Sequence, residues 1–208
     1  MLWQIRCANC RRSAPRALCQ VCWQQIPIYP REQALSSEPW PHYAYGPYQG
    51  LLRQLLGQTK YHQRAALARA LGFYLGHWFK DWAPTPAGVV PIPLHADRHK
   101  ERGYNQAEEM ALGVAEALQI PCFPWLIRIQ ATPALHNLSP QARAQVLKDS
   151  FVWQVPPLSW KKPKGPLLLV DDIFTTGATL NEARSSLPQA LQGSSLSLGR
   201  TEVFKPLH

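Results

Sequence analysis

Two adjacent carboxylates, Asp171 and Asp172, and a threonine-rich turn just after them, Thr175-Thr176-Gly177-Ala178-Thr179, carry the clearest chemistry in this sequence. Neighbouring carboxylates can accept hydrogen bonds from vicinal hydroxyls, such as those of a ribose. A tight turn through Gly177 lets successive backbone N–H groups converge on an anion. Thr175, Thr176 and Thr179 add hydroxyl donors, and a helix beginning there would aim its positive end at the same spot. Diol acceptors beside a phosphate cradle describe a clamp for a ribose 5-phosphate. Read separately, the acidic pair would be a strand end and the turn a helix cap; the composite is harder to explain that way.

A second constellation lies near the N-terminus. Cys7, Cys10, Cys19 and Cys22 form two C-x-x-C knuckles separated by eight residues. Two such knuckles can close tetrahedrally on zinc, with an iron–sulfur cluster or disulfides as the alternatives. With no open coordination position the site is expected to be structural, its metal supplying the folding energy of a very small module. Trp3 and Trp23 flank the knuckles. They either stack on bases of single-stranded nucleic acid or dock the module onto the rest of the chain, and docking is the preferred reading.

Elements must hold these groups in place. Leu167-Leu168-Leu169-Val170 is a continuous apolar run, the pattern of a central parallel strand, and Asp171-Asp172 then fall at its carboxyl end, where open α/β sheets bind ligands. GVVPIPL (88–94), CFPWLIRI (122–129), FVWQV (151–155) and SLSLGRT (195–201) are further strand candidates. Apolar residues recur at helical spacing from Gly50 to about Phe79, with a break expected near Gly57–Thr59. Helices are also expected over Ala107–Leu118 and about Thr179–Leu191. HADRHKERGYNQ (95–106) reads as a polar loop, with His95 and His99 as surface histidines; on a helix their i,i+4 spacing could instead ligate a metal. Cys122 reads as a buried structural thiol, and Lys161, Lys162 and Lys164 as a basic connector.

Strands alternating with helices argue for a mostly parallel sheet covered on both faces. The expected organisation is a zinc module over 1–30, a linker or docking arm over 31–48, and an α/β domain over 49–208. The prolines of 27–48 and its lack of a sustained period place the linker there. The 208 residues carry 22 Lys and Arg against 13 Asp and Glu, a formal charge of +9 that favours anionic partners. No apolar run reaches the roughly 20 residues of a membrane span. The first residues lack the apolar core of a secretory signal. A soluble, cytoplasmic protein is expected.

LLLVDDIFTTGATL resembles the phosphoribosyl-pyrophosphate (PRPP) motif of type I phosphoribosyltransferases. VVPIPLH followed by Arg98, Lys100 and RGYNQ, Lys60-Tyr61 after an apolar helix, and the segment Arg128…Thr132…Leu138-Ser139…Arg143…Phe151 resemble, in family order, the ComF (ComFC- and GntX-like) competence-protein family. The chain departs from that family's usual pattern at Arg11, Leu135 and Val146. The resemblance implies a type I phosphoribosyltransferase-like parallel sheet flanked by helices, with a small N-terminal zinc-ribbon-like module. It implies Asp171 and Asp172 on the ribose and Mg²⁺, and Thr175, Thr176, Gly177, Ala178 and Thr179 on the 5′-phosphate. Because a pyrophosphate leaving group needs cations aimed at it, Lys60, Arg98, Lys100 and Arg102 become candidates for that end.

The implied role is in natural competence, in the handling or uptake of transforming DNA. PRPP, single-stranded DNA and proteins of the competence machinery are the implied partners, with Mg²⁺ and Zn²⁺ as cofactors. Turnover would make the chain a phosphoribosyltransferase whose acceptor the sequence does not name. The alternative is a nucleic-acid-binding or regulatory module that keeps the clamp as a sensor or scaffold.

Overall fold

Leu167–Val170 has no polar position, so neither of its faces can lie against water, and all four residues are buried in the middle of a sheet. The structure, a computed structural model, describes residues 5–36, 40–60, 64–130, 145–154 and 162–201. Its strands are β1 (Leu35–Ser36), β2 (His42–Pro47), β3 (Gly88–Pro91), β4 (Leu126–Arg128), β5 (Phe151–Trp153), β6 (Leu167–Phe174) and β7 (Gln192–Arg200). Its helices are α1 (Gln20–Trp23), α2 (Arg31–Ala34), α3 (Gly50–Lys60), α4 (Ala65–Phe79), α5 (Ala96–Arg102), α6 (Gln106–Leu118) and α7 (Ala178–Ser185).

The main sheet has the order β1-β2-β7-β6-β3. Only the short β1 is antiparallel to its neighbour; the other pairings are parallel. This is the expected α/β architecture. Alternation along β6 sorts the core. Leu168 and Val170 face a cluster holding Leu52, Leu55 and Leu56 of α3, Leu67, Leu71 and Leu75 of α4, and Met110 and Val114 of α6. Leu167 and Leu169 face Leu180 and Ala183 of α7 together with Trp125, Leu126 and Phe151. β4 and β5 form a separate antiparallel pair over this second face.

Helices α4 and α6 cross closely because each offers a glycine where the other's backbone arrives. A side chain at Gly72 would strike the Met110 backbone, and one at Gly113 would strike the backbone of Arg69 and Phe73. The N-terminal module leans on the same helix. Trp23 stacks on Tyr74 with ring centroids 5.2 Å apart, and the Tyr74 hydroxyl donates to the Leu18 carbonyl at 3.1 Å. Arg16 lies 3.5 Å above the centre of the Phe73 ring and pairs with Glu116 of α6 at 2.5 Å. Trp23 is therefore a docking residue; Trp3 lies outside the described residues.

Several expectations change. The stretch from Gly50 to Phe79 is two helices, as expected, but the first runs through Gly57 to Lys60 and the second starts at Ala65, because the buried Leu52, Leu55 and Leu56 outweigh the roughly 1 kcal/mol that a helical glycine loses to alanine. The stretch read as a linker or docking arm contains β2, a buried strand of the main sheet. The last helix ends at Ser185, and after Pro188 only a 3₁₀ turn, Gln189–Leu191, precedes β7. The polar loop at 95–106 is largely helical. His95 caps α5 by accepting from the Asp97 N–H at 3.3 Å, and Gly103 ends it in the left-handed conformation at φ 75°. Of the described residues, no helix is long and apolar enough to cross a membrane.

Candidate functional site

The site forms where β3 stops and β6 continues. Pro91 pairs with Val170, and the Ile92 N–H donates to the Val170 carbonyl at 2.9 Å before the chain turns away into α5. On its other side β6 stays paired, Asp171 opposite Ser197 and Phe174 opposite Arg200. A crevice therefore opens along one edge of β6 at the two carboxylates. Its volume is about 180 Å³, and its walls carry Lys60, Arg98, Arg102, Arg128, Asp171, Asp172 and Thr179.

Three separate elements deliver the cations. Lys60 is the last residue of α3 and reaches Asp172 at 3.4 Å. The hydroxyl of Tyr104 donates to the Thr59 carbonyl, tying that helix end to the segment before α6. Arg98 and Arg102 come from α5, and Arg102 also donates to Gln106 at 2.8 Å. Asn105 fixes the entry to α6, its Nδ2 donating to the Ile92 carbonyl at 3.0 Å and its Oδ1 accepting from the Ala107 N–H at 3.1 Å.

Electrostatics follow from this crowding. Burial first, and then the neighbouring Asp172 carboxylate, push the Asp171 carboxyl up to about 8, against the opposing pull of Lys60. Burial and the Arg98 guanidinium lower the Arg128 pKa, while Asp171 raises it. The carboxyl pair stands among four cations, a setting that can receive a ligand carrying negative charge. Paired carboxylate oxygens suit Mg²⁺, which is commonly held by one or two carboxylates together with ligand phosphates.

The threonine turn lies beside the crevice. Gly177 stands at φ 77° as the N-cap of α7, and the Asn181 N–H donates to its carbonyl at 2.8 Å. Asp171, Thr175, Gly177 and Thr179 surround a small hollow there, the position expected of a phosphate cradle. Thr176 and Ala178 belong to the same turn and first helical position. Beneath the turn, Phe174 stacks on His42 of β2, ring centroids 4.1 Å apart. His42 sits between Ser195 and Ser197 at 2.6 and 3.2 Å, and burial, with Arg200 nearby, lowers its pKa to about 3.

Of the sequence candidates, Lys60, Arg98, Arg102, Asp171, Asp172 and Thr179 share the cleft, whereas Lys100 of α5 is exposed and is not among its lining residues. Arg128 is a wall residue that the sequence reading left without a role; its signal was an arginine ending a short strand. The family-like segment between Thr132 and Arg143 lies outside the described residues, as does Lys161. Cys122 is half-buried and burial raises its thiol to about 12, as suits a structural cysteine.

The four N-terminal cysteines converge. Their sulfurs all lie within 4.8 Å of one another, and Cys10 and Cys19 are 3.8 Å apart. Sulfurs at the corners of a zinc tetrahedron, each about 2.3 Å from the metal, stand about 3.8 Å apart. Burial would raise the Cys7 thiol, but the backbone N–H groups of Cys10, Cys19 and Asn9 bring it down to about 6. The Cys19 N–H lies 3.4 Å from that sulfur. The set can hold a metal ion such as zinc.

The chain matches no family model. It is similar to competence protein F of Haemophilus influenzae, 30% identical over 206 residues that cover 86% of this chain and 89% of that protein. It is also 29% identical over 184 residues to the DNA utilization protein YhgH of Salmonella typhi, covering 85% of this chain and 74% of the relative. Competence protein ComFC of Bacillus subtilis is 28% identical over 151 residues, 72% of this chain and 59% of that protein.

Proposed function

Because the chain belongs to the ComF family of competence proteins, we propose that it binds PRPP with Mg²⁺ and acts in natural competence, in the handling or uptake of transforming DNA. The observation that carries this reading is the carboxylate pair at the open end of β6, flanked by the Gly177 turn on one side and by Lys60, Arg98, Arg102 and Arg128 on the other. Asp171 and Asp172 would accept from the ribose hydroxyls and hold Mg²⁺. The Thr175–Thr179 turn would receive the 5′-phosphate, with backbone N–H groups and the start of α7 directed at it.

Asp171 and Asp172 would hold Mg²⁺, whose charge would offset that of the pyrophosphate. The chain's own contribution is electrostatic: its cations stabilise the departing pyrophosphate, and the carboxylates face the positive charge that develops on the ribose. An acceptor nucleophile would then attack C1′. A non-catalytic reading uses the same clamp as a sensor. Arg6, Arg11 and Arg64 line a groove of about 350 Å³ between the cysteine module and α4, and such a basic groove suits a nucleic-acid backbone.

Calorimetric titration of PRPP with Mg²⁺ tests the clamp. Saturable binding is expected for the wild type, with none for the Asp171→Ala/Asp172→Ala double variant, whose fold is checked by circular dichroism. Unchanged affinity in that variant would sink the assignment. Repeating the titration with a short single-stranded DNA present asks whether the two ligands are linked. Salt-dependent DNA binding without any PRPP binding would favour the non-catalytic nucleic-acid reading.

A further inference from the structure

One wall of the cleft carries a buried donor with no acceptor among the described residues. Gln106, the first residue of α6, is 2% exposed and lines the cleft beside Arg102, Arg128 and Asp171. Arg102 Nη1 lies 2.8 Å from its Oε1. A guanidinium can only donate, so this contact fixes the amide with its oxygen toward Arg102 and its NH₂ group away from it. Nε2 is buried and has no hydrogen-bond partner among the described residues. Native proteins leave few such groups unpaired, and each exception calls for an unseen partner or a function.

The surroundings narrow what that partner is. Gln106 opens a helix of 13 residues, whose positive end favours an anion. Lys60, Arg98, Arg102 and Arg128 line the same space. A donor among four cations suits a multiply charged group that only accepts hydrogen bonds, which describes phosphoryl oxygens. The Gly177 turn, on the far side of Asp171, is taken by the 5′-phosphate in the reading above. The α6 side then faces the other end of the ligand.

Resting on that phosphoribosyl reading, we propose that Gln106 is a binding residue for the pyrophosphoryl group: Nε2 donates to one of its oxygens while Arg102 keeps the amide turned the right way. The residue then separates ligands that carry a pyrophosphate from those that carry only the sugar phosphate.

The test uses the full zinc-loaded chain with two probes, inorganic pyrophosphate and ribose 5-phosphate, each titrated calorimetrically with Mg²⁺. Wild type should bind both. Gln106→Met keeps the length without the donor and should weaken pyrophosphate about ten- to hundredfold, leaving ribose 5-phosphate within about twofold. Gln106→Glu should weaken pyrophosphate further, since a carboxylate then faces the phosphoryl oxygens. That variant retains its contact with Arg102 as a charge-assisted pair, so its melting temperature should not fall. Unchanged pyrophosphate affinity in both variants overturns the proposal and leaves the clamp standing. Equal loss of both probes also overturns it, because the site as a whole would have changed. Failure of wild type to bind either probe removes the clamp and this proposal together.

Discussion

Replacing Asp171 with Asn removes a carboxyl group that the fold keeps protonated until about pH 8, and the variant should gain stability over wild type as the solution becomes alkaline. In the unfolded chain the same group ionises near pH 4. Between those limits the unfolded state has lost a proton that the native state retains. Stability therefore falls with rising pH, by about 1.4 kcal/mol per pH unit. His42 works in the opposite sense. Its native pKa is about 3, so below about pH 6.5 the unfolded chain takes up a proton that the native state refuses, and stability falls as pH drops. The two slopes oppose each other from about pH 4 to 6.5, and Asp171 acts without that opposition from about 6.5 to 8. Over that interval the expected difference is about 2 kcal/mol, or about 4–8 °C in melting temperature for a chain of this size. Thermal unfolding of zinc-saturated wild type and Asp171→Asn, followed by circular dichroism at several pH values in this window, gives the comparison. Every other titrating group is common to both proteins. Melting curves that stay parallel from pH 6.5 to 8 would refute the reasoning, because Asp171 would then be ionised in the native state.

The cysteine module offers another test. Cys7, Cys22, Leu18 and Trp23 share one core with α4, so Cys7→Ser/Cys10→Ser should release the metal and lower stability by about 4 kcal/mol or more; full metal content in that variant would show the ligands to be misassigned. Gly177→Ala places a Cβ at φ 77° and 3.0 Å from the Phe174 ring. It should lose about 1–2 kcal/mol in urea unfolding and bind ribose 5-phosphate at least about tenfold more weakly. Unchanged affinity would mean that the turn is not the phosphate cradle.

The centre of the fold was readable because its signals are local. Leu167–Val170 has only one environment in which four adjacent apolar residues all avoid water, and Asp171-Asp172 follow from it without further assumption. The cysteine spacing likewise needs no tertiary knowledge. β2 escaped notice because His42-Tyr-Ala-Tyr-Gly-Pro lies among prolines and has no alternation, and its burial comes from β7, about 150 residues away. His42 is buried and polar for the same distant reason. α5 is different: Asp97 in its first turn, Lys100 and Arg102 in its last, and Gly103 after them form a legible helix pattern. The density of charge masked it. Arg128 could not be assigned from its neighbours in sequence, since its role depends on β4 lying over the same crevice as β6.

The pairing of β2 with β7 also bears on how the chain is made. His42 meets Ser195 and Pro47 meets Arg200, so β2 must wait for about 150 further residues to be made before its partner exists. At about 5–20 residues per second, the nascent chain spends on the order of ten seconds with Tyr43 and Tyr45 unmatched and a sheet edge open. Contacts of such long sequence separation form slowly and leave aggregation-prone surface exposed while they do. The cysteine module and α4 both precede β7 in the chain, so the module can dock onto α4 long before the sheet closes. That contact fixes the chain at a point close to β2, which then has only a short radius to search for its mate.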